Sequence, residues 1–170
     1  MSAWMVLVLA VAAGPSSAPK AKSMSMDIHR LDQLLRSQAD DGNVQRKGNV
    51  WQFTLHNIPM ICVADPGHDR MRLISPILPA RDLSAEHKMA MLEANFHSAL
   101  DARYAIGDGT LFSAFIHPLG SLSDKLLLSA LQQVAALAHN FGGSYSSGAL
   151  SFGAPRRTPP KKDPDGRTKL

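Results

Sequence analysis

Between residues 24 and 154 the apolar residues change their period four times, and the order of those changes constrains the fold more than any single motif. Ser25 or Asp27 can cap a first helix, whose Ile28, Leu31, Leu34 and Leu35 recur at spacings of three and four. That helix stops near Asp40-Asp41-Gly42. Three strand-like runs follow, at 50–56, 58–64 and 70–74. In the first, Trp51, Phe53 and Leu55 alternate with Gln52 and Thr54. Asn57 links the first two runs and Asp65-Pro66-Gly67 turns between the last two, so antiparallel pairing is the economical arrangement.

A second helical pattern opens at Ser84, with Ala85, Met89, Leu92, Phe96 and Ala99 forming a stripe. Two more strands, 103–106 and 110–117, flank Gly107-Asp108-Gly109, which supplies the positive backbone dihedrals of a tight hairpin. The third helix is expected from Ser121-Leu-Ser-Asp124, a capping-box spacing with Asp in place of Glu. Leu127, Leu131, Val134, Ala138 and Phe141 form its stripe, which Leu126, Ala130 and Leu137 widen to core width. Gly142-Gly143 ends it. The order α-β-β-β-α-β-β-α predicts an α+β two-layer sandwich, with helices covering one face of an antiparallel sheet. The other face can stay wet. The segment 144–152 is either an edge strand, an ordered strap or a frayed linker.

Composition limits what surrounds this domain. At 170 residues and 45% apolar, the chain suits one domain with appendages. A single Cys62 excludes an intramolecular disulfide, and no paired Cys/His spacing suggests zinc. Residues 1–23 read as a signal peptide and linker: an apolar stretch from Trp4 to Ala13, then Gly14-Pro15-Ser16-Ser17. The stretch is about half of what a bilayer span needs, so no stable membrane insertion is expected. Residues 155–170 hold six basic residues, two acidic ones and four prolines, and read as a basic disordered tail. The overall charge of +4 is therefore a property of the ends, because the segment 24–154 sums to −2. A nucleic-acid partner is not expected from it.

The chemistry-bearing residues do not assemble into a motif. No two of the seven histidines stand at i, i+4 on a helix, and His87 and His97 point about 80° apart. Gly142-Gly143 and Gly148 follow a helix instead of preceding one, so they make no phosphate cradle. Ser146 and Ser147 lack nucleophile-elbow spacing. Cys62 falls inside an apolar strand, where a thiol behaves as a small hydrophobe. No catalytic, metal or cofactor residue is assigned, and the expected function is non-enzymatic.

Met91-Leu-Glu-Ala-Asn-Phe96, together with the element order, resembles the Tir-chaperone family of type III secretion chaperones over about residues 26–141. The resemblance extends to YbjN-like domains of the same fold. It implies a small homodimer without enzymatic activity that binds an extended segment of a client protein. The alternative it implies is a YbjN-like sensory or regulatory domain of the bacterial cell envelope. Glu93 and Asn95 would then serve the helix end structurally. An extended segment can add to a sheet edge or lie over an uncovered face, and Trp51, Phe53 and Leu55 are candidate walls for its pockets. Their alternation equally marks the face that the helices bury. The signal-like N-terminus and the basic tail are foreign to that family. A functional signal implies a periplasmic or secreted protein, whereas a start at Met24 or Met26 implies a cytoplasmic one. Mass spectrometry of the protein from its host checks this: export predicts a mature start at Gly14, and a start at Met24 or Met26 contradicts it.

Overall fold

The computed structural model describes residues 25–148, and the signal-like and basic segments expected at 1–23 and 155–170 lie outside them. Six strands form one antiparallel sheet: β1 (Val44–Lys47), β2 (Val50–Leu55), β3 (Ile58–Asp65), β4 (Arg70–Pro79), β5 (Arg103–Gly107) and β6 (Thr110–His117). Three helices accompany it: α1 (Ile28–Gln38), α2 (Ala85–His97) and α3 (Asp124–His139). The strand order is β1-β2-β3-β4-β6-β5, so α2 carries the chain from β4 past β6 to the outer edge. This is the α+β architecture expected, with one strand more. β1 escapes a periodicity search because Val44 is its only apolar residue, followed by Gln45, Arg46 and Lys47.

The connections follow from residues that tolerate positive φ. His56 and Asn57, at φ 54° and 62°, make the two-residue turn between β2 and β3. The Asp40 carboxylate accepts both of their backbone N–H groups, at 3.0 and 2.9 Å, which holds its pKa below the usual carboxylate range. Asp108 and Gly109, at 46° and 72°, make the corresponding turn between β5 and β6. In β4, the register shift between Pro76 and Leu78 opposite β6 leaves Ile77 as an extra residue, a bulge that bends the strand.

Each helix begins on a side-chain cap. Asp27 accepts from Arg30 N–H, Ser84 from His87 N–H and Ser123 from Leu126 N–H. The third of these moves the start of α3 two residues beyond the expected Ser121. Ser25 instead donates to the Gly120 carbonyl, at 2.8 Å.

The core lies between α1, α3 and one face of the sheet. Leu31 and Leu35 of α1 and Leu127, Ala130, Leu131, Val134 and Leu137 of α3 are fully buried. They meet Trp51, Phe53, Leu55, Met60, Cys62, Met71 and Leu73 from the strands. Each large side chain removed from water in this way contributes about 1.5–3 kcal/mol. α3 also carries polar anchors inside this layer. Ser113 and Tyr104 hydroxyls donate to the Val134 and Leu137 carbonyls, at 2.7 and 2.8 Å. Gln133, buried among apolar residues, accepts the backbone N–H groups of Asp101 and Ala102 and donates to Asp101 and Ser129.

A small polar network centred on Asp32 ties α1 to the sheet. The Trp51 indole N–H donates to Asp32 at 2.7 Å, and Asp32 also pairs with Arg36 at 3.0 Å and Arg46 at 3.4 Å. The Arg36 hydrogen bond is the main reason the Asp32 carboxyl lies below its ordinary 3.8. The stabilisation it gives is complete above that value and is lost as the pH falls through the lower folded value. Asp32→Ala leaves the buried indole N–H without its acceptor, so urea denaturation at neutral pH should show a loss of about 1–3 kcal/mol. The difference from the parent should narrow below pH 3.8.

Candidate functional site

The three residues expected to wall a peptide pocket lie in the core. Trp51, Phe53 and Leu55 are 0%, 7% and 2% exposed and face the helical layer. As walls for a segment lying on the surface they are unavailable. Alternation along a strand defines two faces without saying which one the helices take, and here they take the tryptophan face.

The opposite face of the same strands is open. Cross-strand register puts Lys47, Val50, Val63, Arg72 and Ile116 in one row across five strands. Gln45, Gln52, Ile61, Ile74 and Ala114 form the neighbouring row. Gln52, Thr54, Arg72 and Ile116 are exposed, Ile116 to 59% and Val63 to 37%. The surface is thus apolar along its middle, with basic side chains in and beside the rows.

A second apolar surface lies at the β5 edge. Met91 and Ala94 are the residues α2 buries, whereas Met89, Leu92 and Phe96 are 59%, 65% and 79% exposed. The expected stripe of α2 therefore points outward. Three-and-four spacing shows that a helix has an apolar face, not that its own domain covers it. Leu92 faces Ile106 of β5, itself 55% exposed, across a groove of about 290 Å³ whose floor includes Met91, Tyr104 and Leu111.

Both sheet edges are partly protected against strand addition. Thr110 and Gly107 close the β5–β6 hairpin, so the backbone groups of Tyr104 and Ile106 point to the free edge. The Asn95 side chain meets the first of these as a strand would: Tyr104 N–H donates to Asn95 Oδ1 at 2.8 Å, and Asn95 Nδ2 donates to the Tyr104 carbonyl at 3.2 Å. The structural role expected of Asn95 is thereby located. At the other edge, β1 is four residues long and charged, and Arg36 Nη1 donates to the Val44 carbonyl at 3.3 Å. Short, charged edges of this kind disfavour pairing with another strand.

The remaining chemistry-bearing groups have structural occupations. Burial pushes the Cys62 thiol up to about 12, which removes its thiolate at physiological pH. Ser146 and Ser147 are buried in an ordered strap at 144–148. Ser147 Oγ donates to the Ala99 carbonyl at 2.7 Å, and Asn140 Nδ2 donates to the Ser146 carbonyl at 2.7 Å. His68 pairs with Asp65 at 2.7 Å and His56 meets Gln132 at 3.1 Å, far apart on the surface. Among the described residues no three His, Cys, Asp or Glu side chains gather where they could hold a metal, and no helix is long and apolar enough to cross a membrane.

Gln133 is a buried anchor that the sequence itself signals. It fills the gap in the row Leu126, Ala130, Leu137, three residues after Ala130 and four before Leu137. A polar residue in an apolar row is the mark of a buried anchor.

No family model and no curated protein matches this sequence. Among solved structures, the chain is similar to a chain of the HopA1–SchA chaperone–effector complex, with a TM-score of 0.48 and 12% identity over 65% of this chain and 94% of that one. It is also similar to a chain of the ExsC–ExsE complex, with a TM-score of 0.44 and 10% identity over 65% and 90% of the two.

The edge plug makes its own prediction. Asn95→Ala exposes the Tyr104 backbone pair, so hydrogen exchange at the Tyr104 amide should accelerate by at least about tenfold. Unchanged exchange there would show that the edge is closed by something other than Asn95.

Proposed function

We propose that this chain is a non-enzymatic protein-binding module that pairs with a second copy through α2 and β5 and receives an extended client segment on the open sheet face. The observation that carries this reading is the outward apolar surface of α2. A domain whose core is filled by α1, α3 and the strands leaves Met89, Leu92, Phe96 and Ile106 in water beside a groove. Surfaces of this kind mark binding sites. Phe96 and the groove share one side of the molecule, so a two-fold axis lets each copy offer a ring to the other's apolar cleft. The partly protected edges favour a client that lies across the sheet over one that extends it.

Among the described residues no three His, Cys, Asp or Glu side chains gather to hold a metal and the Cys62 thiol is buried, so nothing there lends an enzymatic role positive support. The placement outside or inside the cell belongs to the same proposal only through the N-terminal segment, and the binding surfaces serve either location.

Light scattering of the full chain should give twice the chain mass, and Leu92→Asp with Phe96→Asp should weaken the dimer by about a hundredfold or more, to monomer at micromolar concentration. A monomeric parent removes the pairing half of the proposal. A photo-crosslinker placed at Ile116 in the host cell should capture one dominant partner polypeptide through a single segment. Adducts only with a second copy would remove the client half.

A further inference from the structure

We propose that the open sheet face takes an acidic segment of a partner protein, in which carboxylates are interspersed with apolar side chains. This rests on the protein-binding reading and names the chemistry of what is bound. The row Lys47, Val50, Val63, Arg72, Ile116 carries a cation on either side of two valines. With strands about 4.8 Å apart, Lys47 and Arg72 stand about 14 Å from one another across the sheet, a separation that a few extended residues bridge. The valines and Ile116 supply apolar contact, and the cations fix where carboxylates must fall.

The charge is placed against the average of the domain. Residues 24–154 sum to −2, yet the open side of the strands carries Lys47, Arg70, Arg72 and Arg103 against the single carboxylate of Asp65, Arg46 being turned to the covered side beside Trp51. Asp65 is already paired with His68 at 2.7 Å, and the main effect is to hold its carboxyl below the usual range. Among the described residues, the Lys47 and Arg72 side chains have no hydrogen bond or ion pair. Arg70 donates only to the Asp69 carbonyl beside it, at 2.9 Å. Two unpaired cations with aliphatic residues between them are complementary to an acidic, apolar segment.

Other occupants fit less well. A second copy would bring Arg72 and Lys47 against their own kind. The chain's own residues 155–170 are basic and would be repelled. A nucleic-acid backbone would meet Val50, Val63, Ile61 and Ile74 where it needs further cations and aromatic stacking.

The test uses the full chain and synthetic peptides of about eight residues, alternating valine with aspartate, asparagine or lysine. Fluorescence anisotropy should show the aspartate peptide bound at least about tenfold more tightly than the other two, with affinity falling as salt rises. Lys47→Glu with Arg72→Glu should lose that preference by about tenfold and favour the lysine peptide. Circular dichroism of the variant guards against unfolding, and Lys125→Glu, exposed on α3 in the helical layer, should leave the preference intact. Equal binding of all three peptides overturns the acidic preference while leaving a peptide-binding module. Binding of the aspartate peptide that ignores the charge reversal overturns the site. Absence of binding to any peptide overturns this proposal, and the crosslinking at Ile116 then decides separately whether a client exists. Competition by a single-stranded oligonucleotide at equal concentration would transfer the face to nucleic acid.

Discussion

The paired hydrogen bonds between the Asn95 amide and the Tyr104 backbone decide how the rest of the molecule meets its surroundings. One side chain does there what a seventh strand would do, accepting one backbone N–H and donating to one carbonyl. It ends the sheet and anchors α2 at that end. Because α1 and α3 already fill most of the covered face, α2 joins the core only through Met91 and Ala94. It lies alongside β5 with Met91 and Ala94 inward, and its longer apolar row looks out.

Two surfaces follow from one constraint. A sheet covered on a single face must present its other face to water, and a helix pinned to an edge must present its other side. The polar anchors of α3 make both permanent. Gln133 holds the 101–102 turn leading into β5, Ser113 and Tyr104 fasten β6 and β5 to helix carbonyls, and Ser147 ties the strap back to the end of α2. Buried hydrogen bonds of this kind cost more to break than they gain on forming, so they specify one arrangement in preference to sliding alternatives. The outward rows are thereby held in register.

The two-layer α+β class was legible because periodicity reports which residues share a face. α1, the Asp108-Gly109 turn and four of the five expected strands stand within a residue of where spacing and turn chemistry put them, whereas α3 starts two residues later and β4, expected at 70–74, runs on to Pro79. What spacing leaves open is which face meets which neighbour. Trp51, Phe53 and Leu55 alternate identically whether covered by helices or by a client, and only the sheet's partner layer decides between them. Likewise, Met89, Leu92 and Phe96 have the spacing of a core stripe, and their exposure depends on α1 and α3 having filled the core first. β1 was illegible for a different reason. An edge strand protected by charge lacks the alternation that reveals strands, so the property that keeps it from aggregating also hides it. Asn95 was noticed within a motif, but its acceptor lies nine residues away across a turn, where local reading does not reach.

In the proposed function the two outward apolar rows are separate binding faces with separate occupants. Hydroxyl-radical footprinting of the full chain across a dilution series, with and without an acidic valine-containing peptide, tests it most directly. Concentration alone should protect Met89, Leu92, Phe96 and Ile106 while Val63 and Ile116 stay reactive, and the peptide should then protect the second set. Uniform reactivity at every concentration, or protection of both sets together by either treatment, would contradict it.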